Sequence, residues 1–457
     1  MKKDLQEYTA LFRAPTELRA QTNRYWECAI TNRTVTCHHS AHRHGVSSRV
    51  SHNGNRGFAA ASGITDEVIR YTLCTAYHNA LVLTGHCKTD LLDEPIAPGE
   101  SYTDLRTNNN PGFDRELIDG LKMIDEHIQK RYTNLTSETI HCQVVEEEKS
   151  LITSEGGKSY SRIPRYTLRF TFTYDSGKGA ILLADKLGGI GSILDTFDNP
   201  DSIFGRIDQT YTHLRHKADG KRAEPGIHDV IMDSRISGLL AHEAIGHPTE
   251  ADNVRAGSVF ADKLHTKVAS DSVTIIDFAH HHGSTLCPAP VFVDDEGTHA
   301  RDAILIENGF LKSFMHNRES SGYFESVPSG NARAASYADE PMIRMRNTAI
   351  LPGASTLPDM ISSIDNGYYL MKAGKGQADT TSEFTLGIVQ GYEIRNGKLG
   401  KAIYDTTVSG IALDVLKTVS MVSNNMFWHH GNVCGKKQRI PVGIGGSAIK
   451  CRVNVGG

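Results

Sequence analysis

The 457-residue sequence has no run approaching the roughly 20 consecutive apolar residues that cross a bilayer, and its opening Met1-Lys-Lys-Asp-Leu-Gln-Glu7 holds no apolar signal core. A cytoplasmic protein without a membrane partner is the expectation. Blocks of like charge are missing too: 49 Lys and Arg are spread among 53 Asp and Glu, for a net charge of −4. No basic patch marks a nucleic-acid partner. Eight cysteines, at 28, 37, 74, 87, 142, 287, 434 and 451, include no C-x-x-C pair and no disulfide-framework spacing. That scatter fits a reducing compartment in which most thiols are buried.

The length exceeds what one hydrophobic core usually serves, so two domains are expected. Residues 15–37 alternate polar and apolar and read as paired strands joined at Thr31-Asn32-Arg33. Gly57-Phe-Ala-Ala-Ala-Ser-Gly63 leads from a strand into a helix capped at Thr65, with Asp66 and Glu67 in the first turn where the macrodipole favours them. A Gly/Pro/Asn-rich loop over Pro95–Pro111 and a helix bearing Leu117, Leu121, Met123 and Ile124 come next. Strands follow through Ile140–Val144 and Tyr166–Phe172, then a helix from the Asp198–Asp201 cap to about His216. The polar stretch 217–225 places the boundary between an N-terminal α+β domain (1–220), helices on a mostly antiparallel sheet, and a C-terminal domain (221–457). The second domain reads as mainly β. Asn308-Gly309 and Asn396-Gly397 each interrupt apolar alternation, the strongest short hairpin signal. Pro441-Val-Gly-Ile-Gly-Gly446 lacks the strand, glycine turn and helix order of a phosphate loop and reads as a glycine-rich strand and turn.

One hexapeptide organises the chain: His242-Glu243-Ala244-Ile245-Gly246-His247. Two imidazoles around a carboxylate suit a Zn²⁺ site, the rings holding the ion and Glu243 taking a proton from water. The spacing is five, and an ideal α-helix would set the two side chains about 140° apart, too wide to share an ion. Pro248 lies next door, with no amide hydrogen for the carbonyl of Ala244. A π-like turn of about 4.4 residues brings five-apart side chains back within roughly 50° of each other. Gly246 leaves backbone room for such a turn.

A tetrahedral zinc site takes a third protein ligand and leaves the fourth position to water. Glu250 and Asp252 are near in the chain; Asp294, Asp295, Glu296, the His280–His282 run and Cys434 are distant. Spacing leaves Glu250 and Cys434 as equal candidates. Cys434 sits in a glycine-flanked turn near Lys436, a cation that favours thiolate. Cys37, His38, His39, His42 and His44 carry enough nitrogen and sulfur for a second metal site, although such tracts are more often solvated loops. Arg344, Arg346 and Asn347 form a polar cluster that suits an oxyanion or hairpin turns, and Asp294–Glu296 reads as turn chemistry.

The motif with Glu250 and Asp252, then Asp294-Asp-Glu-Gly297, Leu305-Ile-Glu-Asn-Gly309, Gly330-Asn-Ala-Arg333, Arg344-Met-Arg-Asn-Thr348 and Cys434-Gly-Lys436, resembles the TldD/PmbA family, in its metal-bearing TldD-type branch. The resemblance is strong from about residue 226 onward and weaker before it. It implies a zinc-dependent peptidase acting on unfolded or flexible peptides, with His242, His247 and Cys434 as ligands and Glu243 as base. It also implies a dimer, either with a motif-less paralogue or with a second copy, and a substrate held by adding a strand to a sheet edge. The sequence departs from the family at Pro248, where glycine is commoner, and in Cys434-Gly-Lys-Lys-Gln438, one residue shorter than usual. It also lacks the family's opening helix, and the 37–44 cluster is foreign to the family. Two rival readings are an amide hydrolase trimming a peptide-like biosynthetic intermediate and a non-catalytic binding subunit.

Overall fold

Asn32 and Arg33 take positive φ angles of 47° and 67°, the two left-handed residues that a tight type I′ hairpin requires. They fold β1 (Thr16–Thr31) against β2 (Thr34–His52). The computed structural model describes residues 4–84, 96–106, 113–177, 179–378 and 381–456. β3 (Asn55–Ser62) adds to β2, and α1 (Asp66–Thr84) follows it. β4 (Glu100–Asp104), β5 (Leu135–Thr153), β6 (Lys158–Asp175) and β7 (Ala180–Ile190) complete the first sheet, with α2 (Phe113–Arg131) between β4 and β5 in the chain. Its order is β3-β2-β1-β5-β6, with β4 and β7 both on β6, and only β4 runs parallel to its neighbour.

The helices bury one face each. In α2, Leu117, Leu121, Ile124 and Ile128 recur at helical spacing and are fully buried. They pack with α3 (Ile193–Asp198) and α4 (Asp201–Ala218) over strand residues such as Leu168, Phe170 and Phe172. Gly57 permits the approach of α1, because a Cβ there would overlap the backbone of Ala76 and Ala80. Among the described residues no helix is long and apolar enough to cross a membrane.

Two sequence expectations need correction here. The expected loop Pro95–Pro111 contains a strand, β4, paired with β6; residues 95 and 107–111 lie outside the described residues, as does Cys87. Cys37, His38, His39, His42 and His44 form neither a loop nor a metal site. They lie along β2, where alternate residues face opposite sides, so Cys37 and His39 point away from His38, His42 and His44. Among the described residues the one group of donors close enough for a metal lies elsewhere.

Among the described residues the second sheet has eleven strands. Five of them, β8 (Gly226–Met232), Asn366–Ala378, Glu383–Arg395, Thr406–Ile411 and Ile440–Gly456, pair in a closed ring, since β8 bonds to both the first and the last of the other four. Closure removes the free edges of these strands. Strand Ile440–Gly456 also carries Met421–Cys434 and Asn347–Ile350, so it joins the ring to the rest of the sheet. Pro441–Gly446 is strand throughout, without the expected turn. Asn308-Gly309 and Asn396-Gly397 both turn hairpins, as their sequences predict.

The Asp294–Thr298 turn ties the two sheets together. Asp294 accepts from the amides of Glu296, Thr298 and Ala332, which is turn chemistry. Its neighbours reach the first sheet: Asp295 pairs with Lys149 at 2.8 Å and Glu296 with Arg49 at 2.7 Å.

Arg346 and Asp277, both fully buried, bond at 2.9 Å, and Asp277 also accepts from the amides of Arg346 and Asn347 and from Asn331. Arg346 and Asn347 are therefore structural and do not stabilise an oxyanion. Removing the carboxylate leaves a buried guanidinium uncompensated, so Asp277→Ala should lower unfolding free energy by about 3–5 kcal/mol in a denaturant titration.

Candidate metal centre

β8 delivers the chain into α5 (Ser234–Leu240), whose N-cap Asp233 accepts from the amides of Arg235 and Ile236. The helix then widens. Ala241–Gly246 is a π-turn in which the amide of His247 donates to the carbonyl of His242, five residues back, and a 3₁₀ turn, His247–Thr249, follows. Pro248 has no hydrogen for the carbonyl of Ala244, and the buried Ser382 hydroxyl supplies one at 2.9 Å. The Thr249 hydroxyl similarly covers the carbonyls of Ile245 and Gly246, at 2.8 and 3.0 Å. At Gly246 a Cβ would overlap the sulfur of Met345.

The wide turn brings the rings of His242 and His247 to 5.2 Å between centroids. Cys434, at the end of strand Met421–Cys434, closes the group with its Sγ 3.2 Å from Nε2 of His247. One donor atom from each of the three residues lies within 4.8 Å of the others. Glu243, a quarter exposed, places Oε2 at 3.8 Å from the same Nε2.

Glu250 supports this group from behind. Its fully buried carboxylate accepts from Nδ1 of His247 at 3.2 Å, Lys436 Nζ at 2.9 Å, Asn253 at 3.2 Å and the amide of Met345 at 3.3 Å. Those partners occupy both oxygens, so Glu250 is a positioning residue for His247. Asp252 is held by Lys436 at the surface. The Arg344 guanidinium anchors the thiol loop, donating to the carbonyls of Cys434 at 2.9 Å and Gln438 at 2.8 Å. His280–His282 and Asp294–Glu296 are not part of the cluster. The sequence reading missed the roles of Ser382, Arg344 and Lys436. Only Lys436 carried a local signal, its position two residues after the thiol.

Electrostatics match the donor set. Burial opposes ionisation of Cys434, but hydrogen bonds and charge from His242 and His247 overcome it and pull the thiol down to about 4. Burial likewise opposes charge on His247, yet its bonds to Cys434 and Glu250 hold the imidazole up at about 10. Nδ1 of His242 is buried without a protein partner, a situation that costs about 1–3 kcal/mol unless something outside the protein satisfies the ring. Two imidazoles and a thiolate, with the second nitrogen of His247 on a carboxylate, form a donor set and outer shell suited to zinc.

Known proteins resemble this chain over most of its length. The family described as PmbA/TldA metallopeptidase C-terminal domain matches residues 225–457. A protein of Methanothermobacter thermautotrophicus named metalloprotease is 30% identical over 95% of this chain and 94% of its own. A zinc metalloprotease TldD homolog of Saccharolobus solfataricus is 29% identical over 90% of each. The crystal structure of TldE from Thermococcus kodakarensis superposes with a TM-score of 0.77 at 17% identity, covering 99% of this chain and 98% of that one.

Cys434→Ala and His242→Ala should each abolish stoichiometric metal, read by elemental analysis of purified protein. Glu250→Gln, which removes the charge of the Nδ1 partner while keeping its shape, should weaken zinc binding about 10–100-fold in a chelator competition. Ser382→Ala strands the Ala244 carbonyl in the interior and should lower unfolding free energy by about 1–3 kcal/mol.

Proposed function

Because the chain belongs to the PmbA/TldD family, we propose that it is a TldD-type zinc metallopeptidase that hydrolyses peptide bonds in unfolded or flexible peptides. The observation that carries this reading is the convergence of His242, His247 and Cys434 beside the carboxylate of Glu243. His242, His247 and Cys434 would hold the ion. Zinc, when bound, supplies Lewis acidity, making water acidic near neutral pH and polarising a carbonyl.

The remaining work belongs to the chain. Glu243 is partly exposed, so its Oε2 can take a proton from the attacking water and return it to the leaving amine. Glu250 keeps the His247 ring oriented, with Nδ1 on the carboxylate and Nε2 towards Cys434. Arg344 fixes the height of the thiol loop through two backbone carbonyls.

An edge strand supports the choice of extended peptides. Over Phe427–Cys434 the strand that ends in the thiol pairs with Ile440–Gly446 on one side only, among the described residues. A peptide laid along the other side would be held by main-chain hydrogen bonds, which read extension more than side chains and leave folded proteins out. Assembly with a second copy or with a motif-less paralogue is part of the same reading.

Glu243→Gln tests the assignment. It should retain zinc and lose about 10²–10⁴-fold in kcat on an unstructured peptide. Wild-type rates in the zinc-loaded variant would remove Glu243 as the base, and zinc-loaded wild-type protein that leaves such peptides intact would remove the peptidase reading.

A further inference from the structure

Between the two sheets lies a cavity of about 490 Å³ that the metal centre does not use. One wall is α5, which turns Arg235 and Leu239 into it. Glu243 follows four residues after Leu239 on the continuation of the same helix, so at 1.5 Å per residue Leu239 stands about 6 Å, and Arg235 about 12 Å, behind Glu243 along the axis. A second wall is strand Met421–Cys434, through His429 and Asn432. Asn432 shares a face with Cys434, two residues away and so about 7 Å from it. The third wall is β7, whose Lys186 donates to Asn432 Oδ1 at 2.8 Å. The cavity therefore lies beside the metal centre, about two extended residues from it.

Its charge is unbalanced. Asp185 takes up Arg235 at 2.9 Å and Lys372 at 2.8 Å, and Arg206 stands 3.7 Å away. Lys217 is matched by Asp405 at 2.6 Å. Lys186 has only neutral acceptors, Asn432 and the carbonyl of Gly431, and Arg169 makes no ion pair among the described residues. Arg169 and Lys186 also stand directly opposite each other across β6 and β7, an arrangement of like charges that destabilises a sheet. Three cations thus gather on Asp185, while Lys186 and Arg169 have no carboxylate partner among the described residues. The surroundings register the excess. Burial and the cations Arg235, Arg206 and Lys186 hold the His429 ring down at about 3, and burial with Arg235 and Arg169 lowers Lys186 to about 8.

We propose that this cavity is a carboxylate-reading subsite of the substrate cleft, in which Lys186 and Arg169 hold a peptide carboxylate about two residues from the bond that is cut. The proposal rests on the peptidase reading. Leu239, Val389 and Ile444 line the apolar part and accommodate the side chain between. A chain terminus and an Asp or Glu side chain present the same group. Either would complete the charge with charge-assisted hydrogen bonds, the strong class.

The test uses the full-length Glu243→Gln protein and three short unstructured peptides of one sequence: free acid, C-terminal amide, and an amide whose last residue is Asp. Calorimetry should show the plain amide binding about tenfold more weakly than the acid, the size of one lost charge-assisted bond. Recovery by the Asp peptide assigns side chains as a source alongside the terminus; no recovery assigns the terminus alone. In Lys186→Gln and Arg169→Gln backgrounds the acid should fall to the level of the amide. Equal binding of all three peptides by the parent protein would overturn the subsite. With wild-type enzyme, mass spectrometry should place the cut about two residues from the carboxylate, and a cut with no fixed relation to it would overturn the placement. Discrimination in binding with no hydrolysis by wild type would remove the peptidase reading and leave the carboxylate site standing.

Discussion

A single missing hydrogen bond governs the metal centre. Pro248 cannot donate to the carbonyl of Ala244, and an α-helix cannot pass that point without leaving a buried acceptor empty. The chain answers with a π-turn before the proline, a 3₁₀ turn after it, and the Ser382 hydroxyl in the place of the lost amide. The widened turn puts two histidines five residues apart on the same side. Relaxing it to a regular helix would separate them and leave Cys434 facing one ring alone.

Around this turn a second layer of side chains holds the donors still. Glu250 is out of contact with solvent and engaged by His247, Lys436, Asn253 and the amide of Met345. Its carboxyl stays below the ordinary range despite burial, because His247 and Lys436 outweigh the cost of desolvation. Arg344 secures the thiol loop through the carbonyls of Cys434 and Gln438, so helix and loop are each braced by a buried side chain. That bracing suits a site meant to be rigid at the donors and open where Glu243 meets solvent.

Much of this was legible in the residues. Asn32-Arg33, Asn308-Gly309 and Asn396-Gly397 act within a few residues of themselves, and each turns where the sequence places it. The distorted helix follows from His242, His247 and Pro248 alone. Long-range choices were not legible. Glu250 and Cys434 were equal candidates by spacing and only the family resemblance favoured Cys434; in the fold Cys434 Sγ lies against Nε2 of His247 while Glu250 is aimed at Nδ1. The histidines at 38–44 were misleading because local density of donors says nothing about strand alternation, which splits them between two faces.

The sequence by itself determined the spacing of the two histidines, the proline that forces their turn and the hairpins of the second sheet, because these depend on contacts a few residues long. The tertiary structure alone decided that a thiol 187 residues beyond His247 closes the group, and that β7, α5 and the Cys434 strand enclose one cationic cavity. Both outcomes require strands far apart in the chain to come into register, and register is set by the packing of whole sheets.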